Sequence, residues 1–438
     1  MYHTIANCKL GSHASSSRAF SRRRLLARAV RAGAAVAAAP LFVPSTVRSA
    51  PGRVGANDRV IIGFIGTGGR SRQLMDHVPE EGKIVAICDC YQQRTIETLQ
   101  QKKTEWKTYP YHEQMLETEN LDAVVIGTPD HARVLPCIHA CQAGLDVYAE
   151  KPLTLTIKEG RTLVQFARKH GTVFQVGSQQ RTMEMNRFAC ELVRTGGIGK
   201  IKAVQGLCYT GPRDYDGLPA QPVPEGDDWD RWQGQTPHRP FNHALQFGWM
   251  GWRAYSGGEM TNWGAHGVDQ IQWALGMSQT GPVEVWPTSP GPHGKVRMRY
   301  ANGIVVSYEL EKGPHGGGIF TGEACKIEIN RNRFATNPKE FVKNAPEPAK
   351  AEIWEGPGWI ARPHIQNWID CIKSRDVPNA DVEIGHRSIS VCHLANIARQ
   401  LGRRLRWDPG REAFIGDEEA CTYLDRPKRK GYELPELT

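Results

Sequence analysis

Two side chains of this sequence, Lys151 and His266, are suited to moving a proton beside a carbinol. Oxidising a carbinol by hydride transfer requires its hydroxyl proton to leave and the charge on its oxygen to be stabilised. An ammonium at Lys151, fixed by the proline that follows it, can polarise that oxygen. Imidazole titrates near neutral pH, so His266 is the natural proton acceptor. With a helix running from Met260, Asn262 and His266 lie four apart on one face, and Asp269 lies three further on. The hydride needs a dinucleotide, and residues 60–71, VIIGFIGTGGRS, have the form of its cradle. A short apolar strand leads into Gly66 and Gly68, the first two glycines of a G-x-G-x-x-G turn. Gly69 and Arg70 then open a helix whose free N–H groups face a pyrophosphate. Ser71 replaces the third glycine, which should set helix and strand slightly further apart. The next strand, residues 83–88, ends in Asp89, where a carboxylate can hold the adenosine ribose hydroxyls. An acid there favours NAD, and nearby Arg94 keeps NADP as the alternative.

These residues must be held by a scaffold, and the pattern around them supplies one. Apolar strands at 121–126, 146–149 and 172–176 alternate with helices at 135–143 and 156–169. That rhythm means a parallel, doubly wound sheet, whose ligand crevice opens at the strands' C-terminal edge. The first of these strands runs into Gly127-Thr128-Pro129-Asp130-His131 and the second into Glu150-Lys151-Pro152. Beyond Gly177 the pattern changes. Residues 201–209, 283–286, 296–300, 304–309 and 326–330 read as strands of an antiparallel sheet. Residues 210–257 are rich in Pro, Gly and Trp, a long irregular segment of the functional kind. Trp232 and Trp252 lie there among polar side chains, a mixture that suits sugar rings, or else packs the loop onto the sheet. Residues 334–357 read as a surface excursion, and helices at 363–373 and 385–401 close the fold.

Charge separates the first fifty residues from the rest. They hold eight of the 55 Lys and Arg and none of the 46 Asp and Glu, so residues 51–438 carry 47 basic against 46 acidic side chains. All but one unit of the overall charge of +9 therefore belongs to the leader, and no nucleic-acid partner is implied. Ser21-Arg22-Arg23-Arg24-Leu25-Leu26 has the twin-arginine form, followed by an Ala-rich segment too short and weakly apolar to span a membrane. We expect export of the folded protein to the periplasm, with the leader cleaved or retained, and no membrane span in the mature chain. The eleven cysteines are scattered with no C-x-x-C pair, which points to neither a disulfide framework nor a metal site.

Glu150-Lys151-Pro152, after a strand ending in Thr-Pro-Asp-His, resembles the Gfo/Idh/MocA family of NAD(P)-dependent oxidoreductases. Residues 257–269, GGEMTNWGAHGVD, are similar to that family's GG-x-L-x-D-x-G-x-H-x-x-D pattern. The likeness covers most of residues 58–405. It implies a Rossmann domain at 58–178, a substrate and oligomerisation domain at 179–362 and helices at 363–405, between the leader at 1–50 and a C-terminal tail at 406–438. The second domain would be a mixed α/β unit with a large open, mostly antiparallel sheet, making a homodimer or homotetramer. The resemblance places Thr128, Pro129, His131, Glu150, Lys151 and Gln180 at the cofactor. It places Arg181, Asn262 and Asp269 at a carbohydrate, where the composition of the loop also puts Trp252 and Trp232, with an interdomain salt bridge as the other reading of Arg181. One departure is plain: Asn262 stands where the family has Asp, and asparagine neither takes a proton nor charge-pairs with Lys151. Chemistry then rests on Lys151 and His266.

The expected function is hydride transfer between tightly held NAD and a carbinol of a sugar, cyclitol or sugar derivative. Export makes a rival attractive, a redox-neutral NAD-dependent glycosidase that oxidises, eliminates, hydrates and reduces. A non-catalytic sugar-binding protein with structural NAD is the third reading.

Overall fold

The computed structural model describes residues 58–347 and 361–437; the leader with its twin-arginine sequence, and residues 348–357 of the expected surface excursion, lie outside them. The N-terminal half alternates β1 (Val60–Ile65), α1 (Gly69–Met75), β2 (Gly82–Cys88), α2 (Gln92–Lys102), β3 (Lys107–Tyr109), α3 (His112–Thr118), β4 (Ala123–Ile126), α4 (Val134–Gln142), β5 (Asp146–Ala149), α5 (Ile157–Lys169) and β6 (Phe174–Val176). Its six strands are all parallel, in the order β3-β2-β1-β4-β5-β6. Chain order reverses between β1 and β4, so the loops after those strands part there and leave a crevice. β4 and β5 are buried along their whole length, as apolar runs covered by helices on both faces must be.

The tight turn after β1 depends on glycine. Gly66 has φ +82°, and a Cβ there would lie 2.9 Å from the backbone nitrogen of Thr128. Ser71 does not push α1 away from the sheet. It is fully buried, and a Cβ on Gly127 would fall 2.1 Å from its hydroxyl. The room that a third glycine normally provides comes here from Gly127, across the switch point.

The second half adds α6 (Glu184–Arg194), β7 (Ala203–Leu207), α7 (Trp229–Gln233), α8 (His243–Gln246), α9 (Trp263–Ala274), β8 (Glu284–Pro287), β9 (Val296–Arg299), β10 (Val305–Leu310), β11 (Gly318–Thr321), β12 (Lys326–Asn330), β13 (Arg333–Asn337), α10 (Ala361–Ser374), α11 (Val382–Leu401), β14 (Leu405–Asp408), β15 (Ala413–Phe414) and α12 (Glu418–Thr422). Nine strands form a sheet in the order β13-β12-β11-β7-β10-β9-β8-β14-β15. It is antiparallel except where β7 lies parallel to β10. Four of its strands, β11, β13, β14 and β15, fall outside the segments the pattern marks. Residues 334–337 belong to edge strand β13 rather than to a surface excursion, and the C-terminal tail at 406–438 holds β15, α12 and most of β14.

α10 returns to the Rossmann sheet, where Ile365, Trp368 and Ile369 join Ile62, Phe64 and Tyr148 in one apolar cluster. α11 has apolar side chains all round and is buried on most faces, as expected of a helix enclosed by other elements. It packs on α5, α9 and β8 and so braces the two halves. No helix among the described residues is long and apolar enough to cross a membrane.

Candidate active site

A cavity of about 1000 Å³ opens at the β1/β4 switch point and runs to the N-terminal end of α9. Gly66, Gly68, Gly69, Arg70 and Asp89 line one end, Thr128, Pro129, His131 and Glu150 the middle, and Lys151, Asn262 and His266 the other end. Residues from both halves of the sequence are thus brought to one surface.

The first end fits a dinucleotide. A Cβ on Gly68 or Gly69 would project into open space, the room a pyrophosphate needs against the backbone. Asp89 is fixed at the tip of β2. Its Oδ2 accepts from the backbone N–H and hydroxyl of Thr67 at 2.8 and 2.9 Å, and its Oδ1 from Tyr91 N–H at 3.0 Å. Arg94 lines the same end with its guanidinium over the rings of Tyr91 and Phe247. In the middle, Glu150 accepts from Arg70 Nε and Gln179 Nε2, both at 2.9 Å. Burial would raise this carboxyl, but Arg70 and then Lys151 outweigh it and hold it below the usual range. His131 is a fully buried wall. Burial pulls its imidazole down to about 3, so it is neutral, and its Nε2–H donates to the Trp232 carbonyl at 2.7 Å.

At the far end, Lys151 Nζ donates to Asn262 Oδ1 at 2.7 Å and to the Asn262 carbonyl at 3.2 Å. Removal from water lowers its ammonium to about 8; Glu150 and Asp130 oppose that shift, while Arg331 and Arg70 add to it. α9 starts after Asn262, so the helix does not run from Met260; a single tight turn, Gly258–Met260, precedes it. Asn262 still meets Lys151, because it stands at the N-cap position with its side chain turned to the lysine and not onto the helix end.

His266 differs from the expected proton acceptor. Its Nε2 accepts from Arg331 Nη2 at 2.8 Å, and burial, then Arg331 and Lys151, drive its imidazole well below the ordinary value. A neutral ring whose Nε2 is occupied carries its proton on Nδ1, where it is a donor. Arg331 is the residue the motifs miss. It arrives from the β12–β13 hairpin, lines the cavity, lies over the Trp263 ring at 4.9 Å and donates through Nε to Gln180 Oε1 at 3.3 Å.

Four of the residues expected at ligand do not line the cavity: Gln180, Arg181, Asp269 and Trp252. Gln180 holds Arg331 from behind and bonds the Gly316 carbonyl, while its neighbour Gln179 faces the cavity. Arg181 and Asp269 are buried and bonded to each other at 2.8 Å, with Ser388 on the same carboxylate. Trp252 is enclosed in a separate aromatic cluster under Arg213. Trp232 does reach the cavity, stacked on Trp229 at 4.8 Å and tilted against His131 at 4.6 Å. The C-terminal segment reaches it too: Gly431, Tyr432 and Glu433 form part of the wall. Arg426 on the buried Glu159 at 2.8 Å and Arg429 on the Gly234 carbonyl at 2.8 Å fasten it there. His112, Glu113 and His139 present ligand-type atoms within 4.8 Å of one another in the same wall, and the Arg231 guanidinium already occupies Glu113.

Comparison with known proteins agrees with this architecture. Residues 59–178 match the oxidoreductase family Gfo/Idh/MocA, NAD-binding Rossmann fold, and residues 210–434 match that family's C-terminal alpha/beta domain. An inositol 2-dehydrogenase/D-chiro-inositol 3-dehydrogenase of Halalkalibacterium halodurans is 32% identical over 123 residues, 27% of this chain and 35% of that protein. A 2,7-anhydro-N-acetylneuraminate hydratase of Mediterraneibacter gnavus is 27% identical over 124 residues, 28% of this chain and 29% of that protein. The chain therefore aligns with about a third of the length of these relatives. The crystal structure of the WlbA dehydrogenase from Bordetella pertussis, in complex with NADH and UDP-GlcNAcA, superposes with a TM-score of 0.57 at 19% identity, over 80% of this chain and 99% of that one. This chain belongs to the Gfo/Idh/MocA oxidoreductase family, with its NAD-binding Rossmann domain joined to its C-terminal alpha/beta domain.

Proposed function

We propose that this protein oxidises a carbinol of a sugar, cyclitol or sugar derivative, with NAD as its hydride partner. The observation that carries the reading is Lys151. Its ammonium lies in the cavity wall at the C-terminal edge of β5, hydrogen-bonded to Asn262 and poised to lose its proton near pH 8. Bound NAD supplies the hydride acceptor. Lys151 takes the proton of the carbinol, because of the three groups at this end of the cavity Asn262 does not titrate, His266 is held neutral by burial and Arg331, and Lys151 is lowered to about 8. Asn262 Oδ1 orients that amine. His266 stays neutral and offers its Nδ1–H to a substrate oxygen, with Arg331 fixing the ring. Trp232 and Trp263 supply apolar faces for the C–H side of a ring.

A second reading is a redox-neutral reaction, in which the hydride returns after elimination and addition of water. The likeness to a hydratase and the missing carboxylate at Asn262 favour it. A panel of free sugars and aryl glycosides, followed by the absorbance of reduced nicotinamide, separates the two. Persistent reduction with a free sugar supports the dehydrogenase, and aryl release without net reduction supports the redox-neutral enzyme. Absence of bound or binding nucleotide would sink both. Export by the twin-arginine route remains our proposal from the leader; it would suit an enzyme that carries its cofactor with it.

A further inference from the structure

The substrate end of the cavity has more positive charge than its acids answer. Arg70 is paired with Glu150 at 2.9 Å and Arg133 with Asp130 at 3.6 Å. The Lys151 ammonium and the Arg331 guanidinium remain, and neither forms an ion pair with a carboxylate among the described residues, although Glu150 and Asp130 act on Lys151 at longer range. Lys151 Nζ bonds only to Asn262 among the described residues, and Glu259 lies on the solvent side of that amide, 3.2 Å from its Nδ2. Arg331 gives Nη2 to His266 and Nε to Gln180, both neutral, and its Nη1 has no partner among the described residues. Burial, then Arg70, lowers its guanidinium to about 10, with Glu150 opposing that shift only in part. Half-buried cations without a partner are costly unless a ligand completes them.

We infer that the substrate is a sugar acid whose carboxylate is bound by Arg331, while Lys151 serves the carbinol. This names the substrate class of the oxidoreductase reading and rests on it. Once Lys151 is assigned to the carbinol oxygen, one cation is left, which matches a monoanionic carboxylate better than a dianionic phosphate. A guanidinium edge also matches a planar carboxylate. The hairpin that presents it is fixed independently of ligand: Asn330 Oδ1 accepts from Arg331 N–H at 2.8 Å and from Gly316 N–H at 3.2 Å, and Asn186 Oδ1 accepts from Asn332 N–H at 2.8 Å.

The test uses the full-length, NAD-loaded protein and compares kcat/KM for glucuronate and galacturonate with glucose, galactose and glucose 6-phosphate. The uronates should be preferred over the neutral sugars by about 100-fold, as expected for a charge-assisted contact. Arg331→Gln should collapse that ratio to within a few-fold, and Arg331→Lys should restore part of it. Equal use of acids and neutral sugars, a preference for the phosphate, or an unchanged ratio in Arg331→Gln would overturn the inference. Turnover of neutral sugars alone would leave the oxidoreductase reading standing and remove this one. If none of these sugars is turned over, quenching of tryptophan emission by glucuronate against glucose decides this one, and absence of nucleotide binding remains the result that sinks the oxidoreductase reading. Quenching specific to the acid and lost in Arg331→Gln supports it; equal quenching refutes it.

Discussion

Two clusters of charge in this protein differ in whether they balance. Where α5 meets α11, Arg161 and Arg387 face Glu383 and Glu412 with His386 between them. Arg161 reaches Glu383 at 2.7 and 2.8 Å and Glu412 at 2.8 and 2.9 Å; Arg387 reaches Glu383 at 2.7 Å, and His386 reaches Glu412 at 2.7 Å. Every charge there is answered from within the chain, which suits a brace between two halves. At the cavity the residues are of the same types, yet among the described residues neither Lys151 nor Arg331 has an acid in direct ion-pair contact. The contrast shows how to tell a structural charge cluster from a functional one. A closed set holds the fold, whereas an open set waits for something to close it.

The largest effect should come from the open set. Lys151→Met should cut carbinol oxidation about 1000-fold, within the range for a lost general base, with NAD still bound. A loss below about tenfold in a cofactor-loaded variant would return the proton to another group. Breaking the closed set should act on stability instead. Arg161→Ala should lower unfolding free energy by about 2 kcal/mol in urea titrations, less than for a fully buried pair because Arg161 is partly exposed. Turnover per folded molecule should not move.

That brace also sets a pH dependence. Burial would raise Glu383 and Glu412, but their bonds to Arg161, with those to Arg387 and His386, bring both down to about 2. Because the folded values lie below the unfolded value of about 4.3, their stabilisation is complete above that pH and is lost as pH falls toward 2. In Arg161→Ala the acid-induced loss should be shallower, as followed by circular dichroism. The smallest effect should come from partly closing the open set. Asn262→Asp puts a carboxylate beside the ammonium, and should cut preference for a uronate over its neutral sugar about fivefold by like-charge repulsion. An increased preference would contradict the charge accounting.

The two halves were unequally legible from sequence. Each strand of the Rossmann sheet except the short β3 is marked by its own apolar run, and Gly66, Gly68 and Asp89 lie within one chain segment. The second sheet hides its strands. β11 begins in a glycine-rich stretch that reads as loop, but a Cβ on Gly318 would strike Ile271 at 2.8 Å, so the glycine is demanded by close packing of sheet on helix. The C-terminal residues look like a charged tail because Arg426 and Arg429 find their partners at Glu159 and Gly234, far away in sequence. Arg331 was invisible for the same reason. It meets His266 across 65 residues through a hairpin, and no spacing rule spans that distance. The pairing of Arg181 with Asp269 shows the converse, since both sit in motif positions yet spend their charges on each other.

The most direct test is the pH dependence of kcat/KM for oxidation by the NAD-loaded protein. The account predicts a rate that rises with pH through about 8, as Lys151 loses its proton, and then levels off. A rise centred near the ordinary imidazole value of about 6.5, or a flat profile, would contradict it and return the proton to His266 or to water.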